Sequence, residues 1–242
     1  MKAKRRFNIW LWVLLCVPCL LTSCDHDVHD DKEESGLSVS LTWADEADQG
    51  TEVKDVKLWI FNASDGSLVE EKQYGGAQEV ASQRFQLPEG TYRILTTTNL
   101  TEPFFISEQT RSLTNWNNIQ IGLTNPKDVR NNAYFGVADV KIDNKDGSYV
   151  VQTPIKSVLS ELTIIIENIP KGTEMSGKAL DCACCLFPTQ KNSDGDYGWP
   201  SIEPTEVELP TILATESTLK SEVIRLMPTD RKSTRLNSSH IH

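Results

Sequence analysis

The sequence predicts an all-β protein built from β-sandwiches, and three observations carry the prediction. Apolar residues recur at period two in short segments from residue 37 onward. Turn residues separate those segments, above all the pairs Asp65-Gly66, Asp146-Gly147 and Asp194-Gly195. No stretch carries a convincing amphipathic helical repeat, so strands at this spacing argue for a sandwich rather than a βαβ fold.

Each element follows from its local pattern. Leu37, Val39, Leu41 and Trp43 alternate with Ser38, Ser40 and Thr42, which predicts a half-buried first strand. Val56 to Phe61 and Leu68 to Tyr74 read as a hairpin across Asn62–Ser67, with Asp65-Gly66 supplying the positive φ of a tight turn. Further strands are expected at Ala81 to Leu87, with Phe85 and Leu87 inward, at Thr91 to Thr98 and at Ile119 to Leu123. A second hairpin joins Tyr134 to Ile142 with Ser148 to Thr153. Pro154 then marks a boundary, dividing an N-terminal sandwich (36–154) from the start of a C-terminal one (155–229). There Val158-Leu159 and Leu162 to Ile166 form the most apolar strand, followed by Ala179 to Phe187, Val207 to Leu209 and Ser221 to Met227.

Neither end of the 242 residues reads as part of the folded body. Residues 1–23 carry a basic head, an apolar run interrupted by Pro18 and the ending Leu21-Thr22-Ser23, which is a secretory leader too short to span a bilayer comfortably. Cys24 follows, at the place of the acylated cysteine in the lipobox that this ending resembles, so Cys24 is the expected lipid attachment site and first residue after cleavage. Two or three acyl chains hold a protein durably where one holds it marginally. Residues 24–35 are an acidic tether with a single apolar side chain. Residues 230–242 match, codon for codon over most of their length, the second-frame translation of a common sequencing adapter; the natural chain is therefore expected to continue past Thr229, leaving the second sandwich truncated. Of the 24 basic residues four fall in the leader and three in the tail, and of the 34 acidic residues one falls in the tail. That leaves 17 against 33, a net charge of −16 between Cys24 and Thr229, which argues against nucleic-acid binding and against electrostatic attachment to anionic lipid.

The folded body contains no histidine, since His26 and His29 lie on the tether and His240 and His242 in the tail. Ser-His-Asp and Cys-His catalysis are thereby close to excluded, because the nucleophile needs a base within hydrogen-bond reach. Paired carboxylates of a glycosidase cannot be told from surface charge such as Glu70-Glu71. No phosphate-cradling loop is present, and no cofactor is expected. His26 and His29 lack further soft ligands for a metal. Cys182, Cys184 and Cys185 lack the CxxC spacing of a zinc knuckle; in a single strand Cys182 and Cys184 would share one face and Cys185 the other, so they read as small apolar side chains. Asn192, Asp194, Asp196 and Glu203 fit positions of a calcium loop, but Tyr197 stands where glycine is needed, and a polar hairpin is the preferred reading. Trp43, Trp59, Trp116 and Trp199 read first as core or rim packing.

Taken together, the lipobox, the acidic tether, the hairpin Val56 to Asn62 with Asp65-Gly66-Ser67-Leu68-Val69, the turn Leu87-Pro88-Glu89-Gly90-Thr91-Tyr92 into the next strand, and Asn99 shortly after it resemble the FimB-type fimbrial anchor and accessory subunits of Bacteroidota, the lipoproteins of type V pili. Tyr134-Phe135-Gly136 and the apolar strand near Ile164 sit where that family places its domain junction. The resemblance implies two transthyretin-like β-sandwiches in tandem. It also implies a non-enzymatic, palmitate-bearing role in cell adhesion at the outer membrane, with fimbrillin-type subunits as partners joined by β-strand addition. The alternative expectation is a surface glycan-binding lipoprotein of a polysaccharide-uptake system, using exposed aromatics such as Trp116 or Trp199. An enzyme working through two carboxylates ranks below both.

Overall fold

The computed structural model describes residues 35–107, 114–125, 131–201, 204–215 and 217–228, with the backbone alone of 236–237. It is nearly all β. The main sheet has six strands: β1 (Gly36–Trp43), β2 (Lys54–Asn62), β3 (Leu68–Gly76), β4 (Gly90–Thr98), β7 (Tyr134–Ile142) and β8 (Ser148–Ser157), in the order β1-β8-β7-β4-β2-β3. Its ladders are antiparallel except for β1, which runs parallel to β8 from Gly36 opposite Ser148 to Trp43 opposite Ile155. The second sheet packs β5 (Phe104–Ser107) and β6 (Gln120–Leu123) with β13 (Cys185–Lys191) and β14 (Tyr197–Pro200), in the order β14-β13-β6-β5. Its strands therefore come from widely separated parts of the chain.

β2 shows why the main sheet is covered on both faces. Val56, Leu58 and Ile60 enter one apolar cluster, with Leu37, Val39, Tyr92 and Ile94, while Trp59 and Phe61 point the other way into a cluster with Leu95, Trp116 and Ile119. All five of these β2 residues are inaccessible to solvent. A strand buried on both faces reads as a continuous apolar run rather than an alternation, and each such side chain contributes about 1.5–3 kcal/mol on burial. The second sheet covers the Trp59 and Phe61 side, with Phe104, Ile121 and Leu186 meeting Phe135 of β7.

The opposite face corrects the sequence reading. The strand expected at Ala81 to Leu87 is instead a one-turn helix, α1 (Ala77–Ala81), followed by an irregular segment. Phe85 and Leu87 still point inward, as expected, and with Val80 of the helix they seal the Leu58 and Ile94 face. The helix carries a single buried residue, so it has no period to detect. Phe85 also exchanges two backbone hydrogen bonds with Leu37, at 2.9 Å each, which occupies part of the outer edge of β1.

Both short motifs behind the family resemblance have local physical causes. Gly66 sits at φ +72 in the β2–β3 turn, where a Cβ would meet the Asn115 side chain at 3.1 Å. In Leu87-Pro88-Glu89-Gly90-Thr91-Tyr92, the Tyr92 hydroxyl donates to the Pro88 carbonyl at 2.9 Å, a tyrosine corner that pins the entry to β4. β8 runs on through Pro154 to Ser157, past the expected end at Thr153. Gly136 of β7 lies beneath it: a Cβ there would stand 2.7 Å from the Pro154 carbonyl oxygen, so the close approach requires glycine.

Beyond β8 the expected apolar strand Leu162 to Ile166 is broken into β9 (Ser160–Leu162) and β10 (Ile165–Glu167). β9 pairs with β18 (Ile224–Leu226), β10 with β17 (Thr218–Lys220), and β11 (Glu174–Met175) with β16 (Ile212–Leu213). β12 (Lys178–Ala183) pairs with β15 (Pro204–Glu208). Two small apolar clusters, one around Cys182, Val207 and Leu226 and one around Met175, Ala214 and Leu219, draw only on residues beyond 160.

Candidate functional site

Three features of the described residues have the geometry of a site: a clamp at the start of β2, a set of strands paired on one side only, and a bend carrying two cysteines. Asn99 forms the clamp. It holds φ +57, directly after β4, and its side chain accepts from the Lys54 amide at 2.7 Å and donates to the Glu52 carbonyl at 2.9 Å. Its own amide donates to the Lys54 carbonyl at 2.8 Å. Asparagine is the residue that tolerates the left-handed region while bonding neighbouring backbone. Around it lies an open polar cleft of about 530 Å³, lined among others by Asp55, Asn132, Tyr134 and Arg225. Arg225 is held by Glu161 at 2.9 Å. Tyr134 is edge-on to Trp43, with ring centroids 4.9 Å apart, and burial raises its phenol above the usual value.

Edge strands differ in how they are protected. β3 bounds the main sheet and carries Glu71 paired with Lys57 at 3.0 Å and Glu70 paired with Lys72 at 3.3 Å, charges that discourage another strand from pairing there. These acids are surface charge, as expected. The ladders β9–β18, β10–β17 and β11–β16 are two-stranded among the described residues, so each strand has a side without a ladder partner there. They also expose apolar side chains: Ile165 is 57% and Leu213 60% accessible.

Ala179 to Phe187, expected as a single strand, is two strands in different sheets. Asp181 takes φ +58 and the register of β12 shifts between Ala179 and Cys182, a bulge that breaks the alternation. The chain then bends at Cys184 between β12 and β13. The face assignment made for a continuous strand therefore fails. Cys182 is buried among Ala179, Val207 and Leu226, where burial pushes its thiol up, but Cys184 and Cys185 are only half-buried and their sulfurs lie 3.8 Å apart. The CxCC spacing was legible, and was read as three small apolar side chains; the bend that brings Cys184 and Cys185 together was not.

The remaining candidates separate clearly. Asn192 Oδ1 accepts from the amides of Asp194 and Asp196, and Gly195 takes φ +88, so 192–196 is the turn of the β13–β14 hairpin; Glu203 lies outside the described residues. No group of three or more His, Cys, Asp or Glu side chains converges among the described residues. Trp116, read as an exposed sugar platform under the glycan alternative, is only 3% accessible. It is wedged edge-on between Phe61 and Tyr197 at 5.4 and 5.9 Å, with the Arg93 guanidinium 5.4 Å from its ring. Trp199 pairs opposite Phe187 on β14. Cys24, His26 and His29 lie outside the described residues, and among the described residues no helix is long and apolar enough to cross a membrane.

Fold and site together define an all-β sandwich protein whose distinctive surface features are strand edges. The chain belongs to the family of fimbrillin-A associated anchor proteins Mfa1 and Mfa2, whose profile matches residues 23–233. The structure is similar to that of the fimbrial anchor protein Mfa2 from Porphyromonas gingivalis, at 13% identity and a TM-score of 0.58, over 84% of this chain and 75% of that one. A Bacteroides thetaiotaomicron protein provisionally described as an adhesin is similar at 13% identity and TM-score 0.58, over 84% and 73%. Another from that organism, provisionally described as polysaccharide binding, is similar at 11% identity and TM-score 0.54, over 84% and 75%. At such identities the likeness is one of fold. No curated protein matches the chain by sequence.

Proposed function

We propose that this chain is a non-enzymatic fimbrial anchor or assembly subunit, held at the outer face of the outer membrane by acyl chains on Cys24, and that it engages fimbrillin subunits by β-strand addition. Membership of the anchor family over residues 23–233 carries the reading. Strand addition is supported by the two-stranded ladders beyond β8, whose open sides and exposed Ile165 and Leu213 offer backbone and side-chain contacts of the kind an added strand uses. The tandem arrangement of transthyretin-like domains, 36–154 and 155–229, belongs to the same reading; two apolar clusters drawn wholly from beyond residue 160 support a second unit, while β13 and β14 complete the second sheet of the first.

The test is made in a Bacteroidota host. The full chain should incorporate radiolabelled palmitate, fractionate with outer membrane and co-purify with fimbrillin after mild detergent extraction. Cys24→Ala should lose label and sediment with the soluble fraction while retaining its fold. Failure of the intact protein ever to capture a fimbrillin would sink the assembly role, and label retained in Cys24→Ala would move the lipid elsewhere.

A further inference from the structure

The bend between β12 and β13 places two thiols in a redox-reactive arrangement that the anchoring role does not use. Cys184 and Cys185 are both reduced, both half-buried, and 3.8 Å apart at sulfur. Cys184 Sγ also lies 3.2 Å from Ser201 Oγ, and the Ser201 amide donates to the Cys185 carbonyl at 2.9 Å, so Ser201 holds the bend from both sides. Cys184 lines an apolar cleft of about 200 Å³ with Leu123, Ala183, Thr205, Val207 and Met227, which lets a small reagent reach its sulfur. Cys182, by contrast, is 1% accessible, with its thiol raised by burial. A buried, protonated thiol is a poor nucleophile.

We propose that Cys184 and Cys185 form a reversible vicinal disulfide, with small-molecule or protein disulfides as the oxidant. The Cys184 thiolate, to which the Ser201 hydroxyl can donate, attacks a disulfide RS–SR, forming a mixed disulfide and releasing one RS⁻. The Cys185 thiolate then displaces the second RS⁻, closing the Cys184–Cys185 bond. The net change is two protein thiols and RSSR giving one ring disulfide and two RSH. Neighbouring Cα atoms across a trans peptide are about 3.8 Å apart, below the roughly 4.4–6.8 Å of an unstrained disulfide. The ring is therefore strained and readily reduced, which is the property of labile rather than structural disulfides. Closing it fixes the bend at Cys184 between β12 and β13, two strands in different sheets. The oxidising surroundings rest on the surface location proposed above; the thiol chemistry does not.

The experiment treats purified, reduced full-length protein with oxidised glutathione and maps the peptide Ala179 to Lys191 by mass spectrometry. That peptide should lose two hydrogen atoms and recover them with dithiothreitol. Fragmentation should be silenced only at the bond between Cys184 and Cys185. Cys185→Ser should abolish the loss and trap a glutathione adduct on Cys184, and Cys182→Ala should leave it intact. Stable glutathione adducts on both Cys184 and Cys185, a ring that silences the bonds from Cys182 onward, or an unmodified peptide would each overturn the proposal. None of these outcomes bears on fimbrillin capture, so the two readings fail separately.

Discussion

Asn99 shows how much a single side chain decides. Its left-handed backbone and two side-chain bonds tie the end of β4 to the start of β2, a contact across 45 residues of sequence. Asn99→Ala should cost about 2–3 kcal/mol, combining two partly exposed hydrogen bonds with a left-handed alanine. Asn99→Gly keeps the backbone and should cost roughly 1 kcal/mol less. Equal denaturation midpoints for the two variants would show that backbone conformation plays no part. Tyr74, Tyr92, Tyr134 and Tyr197 act together in a different way, since burial holds each phenol above its ordinary 10.0. A raised folded value means that the stability these phenols confer is complete below pH 10 and drains away as pH climbs through the raised values. Lys156 opposes them, because burial lowers its ammonium and it adds stability as pH rises toward 10.5. Lys156 stands against these four phenols, the raised Cys182 thiol and the raised ammoniums of Lys54, Lys141 and Lys178, so the net expectation is an alkaline loss, which thermal melts between pH 9 and 11.5 would reveal; Tyr92→Phe should shrink it.

At the scale of the element, β2 and β10 are opposites. β2 was legible as a strand from its apolar run and Asp-Gly turn, and the structure adds that Trp59 and Phe61 serve a different cluster from Leu58 and Ile60. Phe61→Ala should cost about 3–5 kcal/mol, read from the urea midpoint, because the close-packed cluster around Trp116 cannot collapse into the space. Ile165 and Ile166 were read as the end of the most apolar strand. β10 is three residues long, with Ile165 largely exposed opposite Lys220. Ile165→Glu places a carboxylate across from that lysine, so stability should hold within about 0.5 kcal/mol. If β10 is a docking edge, fimbrillin capture should fall roughly tenfold, a loss of about 1.4 kcal/mol of binding. Unchanged capture would remove β10 from the docking surface.

For the molecule as a whole, the chain belongs to the anchor family and is a β-sandwich whose folded body carries no histidine, and among the described residues its exposed large apolar side chains lie on both sides of residue 160, Val69, Phe105 and Val150 before it and Ile165, Leu213 and Val223 after it. Of the two sugar platforms that the sequence offered, Trp199 is half-buried and Trp116 is removed by burial. Its replacement by alanine should therefore unfold the second sheet's contact with Phe61 and Tyr197 rather than weaken a glycan complex. Circular dichroism beside glycan-array binding separates the two, and a folded variant with lost glycan affinity would restore the alternative.

The all-β class, the hairpins at Asp65-Gly66, Asp146-Gly147 and Asp194-Gly195, the span of β7 and the inward Phe85 and Leu87 were all determined by sequence alone, because period, turn chemistry and apolarity are local properties. Tertiary structure alone decided the rest: the parallel pairing of β1 with β8, the second sheet assembled from β5, β6, β13 and β14, and the meeting of Cys184 with Cys185. Strand partners depend on long-range burial that no window of sequence contains. The bend at Cys184 carries the chain from one sheet into another and ends the alternation that a single strand from Ala179 to Phe187 would have had, which is why the cysteines were read on the wrong faces.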